Sequence, residues 1–569
     1  MIDKSIEPHN RYANLYNYTE QYRSFSWEKL NKEFSWNRTG KINIIYEAID
    51  RHAEDPKFAN RFALIFDSDD RKERITYHQM KDLSSKFGNV LKKLGIKKGD
   101  RVFTFLPRSP ELYITIAGSA RIGAIFGSLF EGLMEKALHF RLYDSGAKVV
   151  VTNSSLIKRI PFDELPELKW VIIVDSNPKK LKSNELSWEK EMAAASYELE
   201  PEWVDINHPL YIIYTAGSTG IPKGVVHAHR DMKGYLITGK WGLDLRKNDT
   251  LWTTADPSWI AGLVYGAYTP WICGTNNFIQ AGRFNALKWH QAIEKYKITV
   301  WYTAPTVFRL IQKEGEKAFK NVNLSTLRHI LTVGEFLEPD LIYWSKYKYN
   351  IPIHDTWWMA ETGMITIMNF PSMRIKPGSI GKPFPGIYAA IVDENGKELP
   401  ENTLGYLALK PGWPNILTGI WGNEERYKKY FKKKLWFITG DIAYMDEDGY
   451  FFFQGRDDEI INVAGTKIGP AELETTLKSH PAVADAGVIG KPDEIAGNII
   501  KAFIVLKKGY LPSKKIEKDI VKYMRFHLTP MAAPKEIEFR DHLPKDKNGN
   551  LIRRFLKAWD LGLPTGEEE

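Results

Sequence analysis

From about residue 60 to residue 420, short runs of β-branched and aromatic residues alternate with longer stretches whose apolar positions recur at helical spacing. Arg101-Val102-Phe103-Thr104-Phe105 and Lys148-Val149-Val150-Val151-Thr152 read as strands, and Tyr77 to Leu94 reads as an amphipathic helix. That alternation predicts parallel sheets joined by crossover helices. Near 440 to 460 the pattern changes: Tyr444-Met445-Asp446-Glu447-Asp448-Gly449-Tyr450 reads as a turn between strands, followed by Gly455-Arg456-Asp457-Asp458-Glu459. A boundary is expected there, giving a large domain at 1–457 and a small one at 458–569. In the small domain, helices at 470–479 and 514–527 flank strands such as Lys501-Ala502-Phe503-Ile504-Val505. The expected class is α/β: a large N-terminal domain of parallel or mixed sheets with helices, then a compact α+β module. Residues 1–40 carry aromatics among charges, as in Phe34-Ser35-Trp36, and are expected to pack onto the large domain.

Length and composition narrow the class. A chain of 569 residues exceeds one hydrophobic core, and 43% hydrophobic with 26% charged residues is ordinary for a globular protein. No apolar run approaches the roughly 18 residues of a membrane span, and the start lacks a signal-peptide core, so the cytoplasm is the expected compartment. The single cysteine, Cys273, excludes an internal disulfide and a cysteine metal cluster, and reads as a small buried apolar residue. A net charge of +9 fits either a nucleic-acid surface or a site for small polyanions. Basic residues are spread among acids, and the densest run, Lys428-Lys429-Tyr430-Phe431-Lys432-Lys433-Lys434, reads as a solvated face. Small polyanions are therefore favoured, with neither nucleic acid nor membrane as partner.

The strongest chemical signal follows the apolar run Leu210-Tyr211-Ile212-Ile213. The string Tyr214-Thr215-Ala216-Gly217-Ser218-Thr219-Gly220-Ile221-Pro222-Lys223-Gly224 combines three glycines, hydroxyls and a lysine. Glycines let backbone N–H groups turn toward an anion, hydroxyls donate to its oxygens, and an ammonium neutralises its charge. The loop suits a nucleotide triphosphate, although it lacks the spacing of a Walker loop. Further along, His354-Asp355-Thr356-Trp357-Trp358-Met359-Ala360-Glu361-Thr362-Gly363 places two indoles beside a carboxylate. A flat ring can stack on a purine, and a carboxylate beside phosphates commonly holds Mg²⁺. Taken alone, a Trp-Trp pair is more often core. Phe437-Ile438-Thr439-Gly440-Asp441 offers a carboxylate suited to ribose hydroxyls, and Gly455-Arg456-Asp457-Asp458-Glu459 runs on through Gly465-Thr466-Lys467. In isolation each of these reads as a turn or a surface ion pair.

The order and spacing of these four strings resemble the AMP-forming adenylating enzymes over essentially the whole chain. Phe34-Ser35-Trp36, Thr254-Ala255-Asp256-Pro257-Ser258-Trp259, Val333-Gly334-Glu335 and Arg553-Arg554-Phe555-Leu556-Lys557-Ala558-Trp559 make it most similar to the acetyl-CoA synthetase branch. The resemblance implies two half-reactions. A carboxylate and ATP give an acyl-adenylate and pyrophosphate; CoA then displaces AMP. By the same resemblance, Thr215, Gly217, Ser218, Thr219, Gly220 and Lys223 hold the pyrophosphate part of ATP, and Glu361 ligates Mg²⁺. Trp357, Gly334 and Glu335 sandwich adenine beside Asp355 and Thr356, while Asp441 and Arg456 bind the ribose. The small domain is implied to be mobile, turning about Asp458. Gly465 then lines the tunnel for the CoA arm, Lys467 stands where relatives carry arginine, and Arg525 meets a CoA phosphate. Ile260, Ala261, Val333 and Trp358 form the acyl pocket, in which the indole restricts the acid to acetate or propionate.

The chain also departs from the family pattern. Leu543-Pro544-Lys545-Asp546-Lys547-Asn548-Gly549-Asn550 carries Asn550 where the family has the lysine that bridges substrate carboxylate and α-phosphate. Ala360 replaces a threonine, Ala216 a serine, and Phe336 a proline beside adenine. Loss of one such charged contact costs about 10²–10³ in rate. Three readings follow: a working short-chain synthetase with Lys545 or Lys547 standing in or the loss tolerated, a nucleotide- or acyl-CoA-binding regulator or subunit, or a ligase for another acid or acceptor.

Overall fold

The computed structural model describes residues 5–8, 10, 12–215, 222–431, 435–457, 459, 461–463, 466–493, 497–527, 532–545, 549 and 551–562. Among the described residues the strands form five sheets. In the largest, of nine strands, Thr250–Thr253, Val300–Thr303, His329–Thr332 and Ile353–Trp357 run parallel. A second, of eight strands, has a parallel set that includes Arg101–Phe105, Val149–Thr152 and Pro209–Thr215. The predicted parallel sheets are present, with antiparallel strands added at their edges. One of these additions matters for chemistry. Lys223–Ala228 folds back antiparallel on Pro209–Thr215, so that Thr215 and Lys223 face each other across the ladder.

Local sequence accounts for the main helices. Tyr77–Lys93 starts at a capping box in which Thr76 and Gln79 bond each other's backbone N–H groups. Its Tyr77, Met80, Ser84, Phe87 and Leu91 recur on one face and are buried, and Lys92 and Lys93 sit at the negative end of the helix dipole. The opening segment is docked onto the large sheets: Asn14 donates its N–H to Asp244 at 2.7 Å, and the Tyr18 hydroxyl donates to the Pro383 carbonyl at 2.8 Å. Cys273 is half-buried against Leu236, and burial pushes its thiol up to about 12, as expected of an inert packing residue.

An antiparallel sheet of four strands contains Phe437–Met445 and Phe451–Arg456, joined by the predicted turn at 446–449. The C-terminal part is built on Val483–Asp493, Gly497–Leu506 and Glu536–Phe539. Helices Pro470–Lys478 and Lys514–His527 deliver Leu473, Leu477, Ile520 and Met524 into one cluster with Val488, Ala502 and Ile504, the α+β module expected. Arg456 closes the four-stranded sheet and Ile461 already belongs to this last cluster. The expected hinge, Asp458, lies outside the described residues. None of the described helices is long and apolar enough to cross a membrane.

Candidate functional site

The C-terminal edge of the parallel strands, where open α/β sheets bind their ligands, opens onto a cleft of about 630 Å³ between the large sheets and the C-terminal part. Trp357, the last residue of its strand, donates its indole N–H to Asp441 at 2.9 Å, and Arg456 donates to the other carboxylate oxygen at 2.7 Å. Asp441 and Arg456 are register partners in the antiparallel sheet, so the ion pair is set by strand pairing. Burial pushes the Asp441 carboxyl up, while Arg456 and the Trp357 N–H draw it back down. Gly334 has φ +91° and open space where a side chain would stand, leaving a cradle beside the ring of Trp357.

Glu335 is engaged on both sides. It accepts from the Thr306 hydroxyl at 2.7 Å and from Arg309 at 2.7 Å, and Arg309 also reaches Glu338 at 2.8 Å. Asp355 lies beneath the cleft, accepting from the Thr356 N–H at 3.0 Å and the Thr332 hydroxyl at 3.2 Å. Burial pushes its carboxyl up to about 8.

Thr215, Lys223, Glu361 and Tyr430 are not among the residues lining this cleft; Lys223 is ion-paired with Glu361, and Tyr430 donates its hydroxyl to the same Glu361 oxygen at 2.7 Å. Burial alone would raise the Glu361 carboxyl; Lys223 and Tyr430 outweigh it and hold the group below the usual carboxylate range. The preceding peptide is pinned as well: His227 donates Nε2–H to the Ala360 carbonyl at 2.7 Å and shares a proton with Asp231 through Nδ1 at 2.7 Å. Thr215 Oγ1 is buried with no hydrogen-bond partner among the described residues, a free donor beside Lys223 that suits a phosphate oxygen. No group of three or more metal-ligating side chains occurs among the described residues, so Glu361 would share a cation with phosphate and water oxygens, the usual manner of Mg²⁺.

Of the acyl-pocket candidates, Trp358 lines the cleft, whereas Ile260, Ala261 and Val333 are not among its lining residues. Ala261 and Trp358 belong to one buried cluster, with Ile260 and Val333 packed against it. Trp358 is 8% exposed. From the C-terminal side, Arg553 donates to Glu459 at 2.9 Å and Glu474 at 2.7 Å, and Lys478 reaches Glu338 across the cleft at 3.4 Å. Gly549, at φ +86°, sits so close to Thr306 that a Cβ would lie 3.2 Å from its hydroxyl oxygen. Lys545 is paired with Asp485 at 2.6 Å. Arg525 is exposed on its helix and is not among the residues lining this cleft.

Gly217, Ser218, Thr219, Gly220, Asp458, Gly465, Lys547 and Asn550 lie outside the described residues, as does the side chain of Lys467. The sequence reading missed Tyr430, Thr306, Arg309 and His227. One of these corrects it: Tyr430 belongs to the lysine-rich run read as a solvated face, yet it stacks on Phe437 at 5.3 Å and bonds Glu361. The aromatic pair Tyr430-Phe431 inside the charge run was the available signal.

The family described as AMP-binding enzyme matches residues 49–421, and the family described as AMP-binding enzyme C-terminal domain matches residues 472–550. Acetyl-coenzyme A synthetase of Bacillus subtilis (strain 168) is 49% identical, over 97% of each chain. Acetyl-coenzyme A synthetase of Methylobacillus flagellatus is 39% identical, over 94% of this chain and 86% of that one. Among solved structures, an acyl-CoA synthetase of Brucella canis superposes with a TM-score of 0.75 at 31% identity, covering 96% of this chain and 99% of that one. The anthranilate CoA ligase AuaEII in complex with anthranoyl-AMP gives 0.79 at 28% identity, over 91% and 97%.

Proposed function

The chain belongs to the AMP-binding enzyme family, and we propose that the acid it activates is acetate or propionate. It is an AMP-forming acyl-CoA synthetase. An oxygen of the carboxylate attacks the α-phosphorus of ATP and pyrophosphate leaves; the thiol sulfur of CoA then attacks the acyl carbon and AMP leaves. Both steps rest on positioning and charge stabilisation.

The residue roles are our assignment. The nucleotide base lies on Trp357 in the cradle at Gly334, and the ribose meets Asp441, which Arg456 and Trp357 hold in place. Thr215 and Lys223, with the loop between them, take the phosphates. Glu361 is the carboxylate for Mg²⁺, which when bound neutralises charge on the leaving phosphates. Lys223, ion-paired with Glu361 in the structure, would donate to phosphate oxygens of the bound nucleotide. Trp358 closes the acyl pocket against longer chains. The small domain begins at 458, turns about Asp458 and brings Gly465 to the CoA arm for the second step. A single cysteine and the substrates ATP and CoA support a cytoplasmic location.

The observation that carries this reading is the convergence of Trp357, Trp358, Asp441 and Arg456 on one cleft with Glu459, Gly549 and Arg553 of the C-terminal part. The full-length likeness to acetyl-CoA synthetases favours the working enzyme over the regulator. The test is a panel of acids from acetate to hexanoate, assayed for AMP release with ATP, Mg²⁺ and CoA. Acetate or propionate should give the highest kcat/KM. A maximum at butyrate or beyond overturns the acid assignment, and AMP release that does not require CoA overturns the acceptor.

A further inference from the structure

Trp358 ends a chain of hydrogen bonds whose direction is forced. Its indole Nε1 can only donate, and it donates to the Tyr302 hydroxyl oxygen at 2.9 Å. Thr356 Oγ1 donates its proton to the Thr332 carbonyl at 2.7 Å, so at the 2.7 Å contact between the Thr356 and Tyr302 hydroxyls the donor is Tyr302. Each of the three protons is used once, and Tyr302 and Thr356 are buried. The Tyr302 hydroxyl is held well above its ordinary range by burial, so the chain keeps its order across neutral pH.

A second contact holds the indole from another direction. The Tyr265 ring meets Trp358 edge-on at 5.1 Å and Tyr302 edge-on at 5.4 Å. Tyr265 is itself fixed, accepting from the Ile365 N–H at 2.9 Å and donating to Thr238 at 3.0 Å. Rotation of the indole out of the acyl pocket would take its N–H from the Tyr302 oxygen and break the edge contact, while Tyr302 keeps its own donor bond to Thr356.

We propose that Tyr302 is a specificity-determining residue that acts through Trp358, locking the indole across the acyl pocket so that longer acids cannot displace it. This rests on the reading of Trp358 as the pocket floor. The same strand, Val300–Thr303, lies beside His329–Thr332, which leads into Val333 and Gly334, so one hydrogen-bonded unit backs both the acyl pocket and the adenine cradle.

The experiment compares kcat/KM for acetate and butyrate in the full-length parent, Tyr302→Phe, Trp358→Gly and the double variant. Tyr302→Phe keeps the ring, and a single cooperative thermal unfolding transition checks that the fold is kept. The butyrate-to-acetate ratio should rise about tenfold, the low end of the discrimination that one of the two methylenes separating these acids supplies. In the Trp358→Gly background the same change should move the ratio less than about twofold, because no indole remains to be held. Three results overturn the lock: an unmoved ratio in Tyr302→Phe where Trp358→Gly shifts it, an equal shift in both backgrounds, or a proportional loss for both acids. If Trp358→Gly leaves the ratio unmoved, the pocket-floor reading falls and the lock falls with it.

Discussion

The indole of Trp357 and the carboxylate of Asp441 share a 2.9 Å hydrogen bond that joins the last residue of a parallel strand to the separate four-stranded antiparallel sheet. The ring assigned to the base and the carboxylate assigned to the ribose are therefore one mechanical unit, with Arg456 as its third member. Asp441→Asn removes the charge from two charge-assisted bonds worth about 1.5–3 kcal/mol each. The KM for ATP should rise about 10- to 100-fold while the KM for acetate changes little. Equal increases for both substrates in steady-state assays would speak against a nucleotide role.

Glu361 should act in the first half-reaction. Glu361→Gln keeps the shape and deletes the charge, so ATP–pyrophosphate exchange should fall about 10²–10³-fold, with a higher Mg²⁺ requirement, while thiolysis of supplied acetyl-adenylate proceeds near the parental rate. The carboxyl is depressed in the fold. Its stabilising contribution is thus present above the unfolded value of about 4.3 and is lost only as pH falls through the folded one. Exchange activity between pH 6 and 9 should carry no inflection that disappears in the Gln variant.

Asp355 carries the opposite sign. Its carboxyl is pushed up to about 8 by burial, against about 3.9 unfolded, so between those values the folded state binds the proton more tightly. Its contribution to stability falls as pH rises from about 4 and reaches its full cost above about 8. Asp355→Asn removes that penalty, and the melting difference between variant and parent should grow more favourable from pH 5 to pH 9. A difference constant with pH in scanning calorimetry would contradict the assignment.

Resemblance assigns Asn550 to the position of the family's adenylation lysine, and Lys545 is held by Asp485 at 2.6 Å. Asn550→Lys should therefore speed adenylation by about 10–10³, and Lys545→Ala should leave it unchanged. Thiolysis of pre-formed acyl-adenylate should be the same in all three proteins. Loss of pyrophosphate exchange in Lys545→Ala would mean that this lysine is the substitute after all.

Gly465→Leu tests the second half-reaction. A side chain in the tunnel proposed for the CoA arm should spare pyrophosphate exchange and abolish thioester formation. Parallel loss in both assays would make the glycine merely structural.

The sequence by itself determined the elements and the chemical inventory, because both are written over short stretches. The β-branched runs at 101–105 and 148–152, the helix from Tyr77, the turn at 446–449 and the hydrophobic faces of the C-terminal helices depend on neighbours a few residues away. The phosphate, adenine and ribose strings likewise carry their residues side by side. The tertiary structure alone decided how those side chains are held. Tyr430 reaches Glu361 across 69 positions, Trp358 reaches Tyr302 across 56, and Arg309 reaches Glu335 across 26. No periodicity encodes such partners, since each pair meets only after separate strands and helices have been brought together by burial of their apolar faces. The charge run containing Tyr430 shows the consequence: its lysines satisfy a surface pattern, and the orientation of its one stacked tyrosine depends on Phe437 and Glu361 in other segments of the fold.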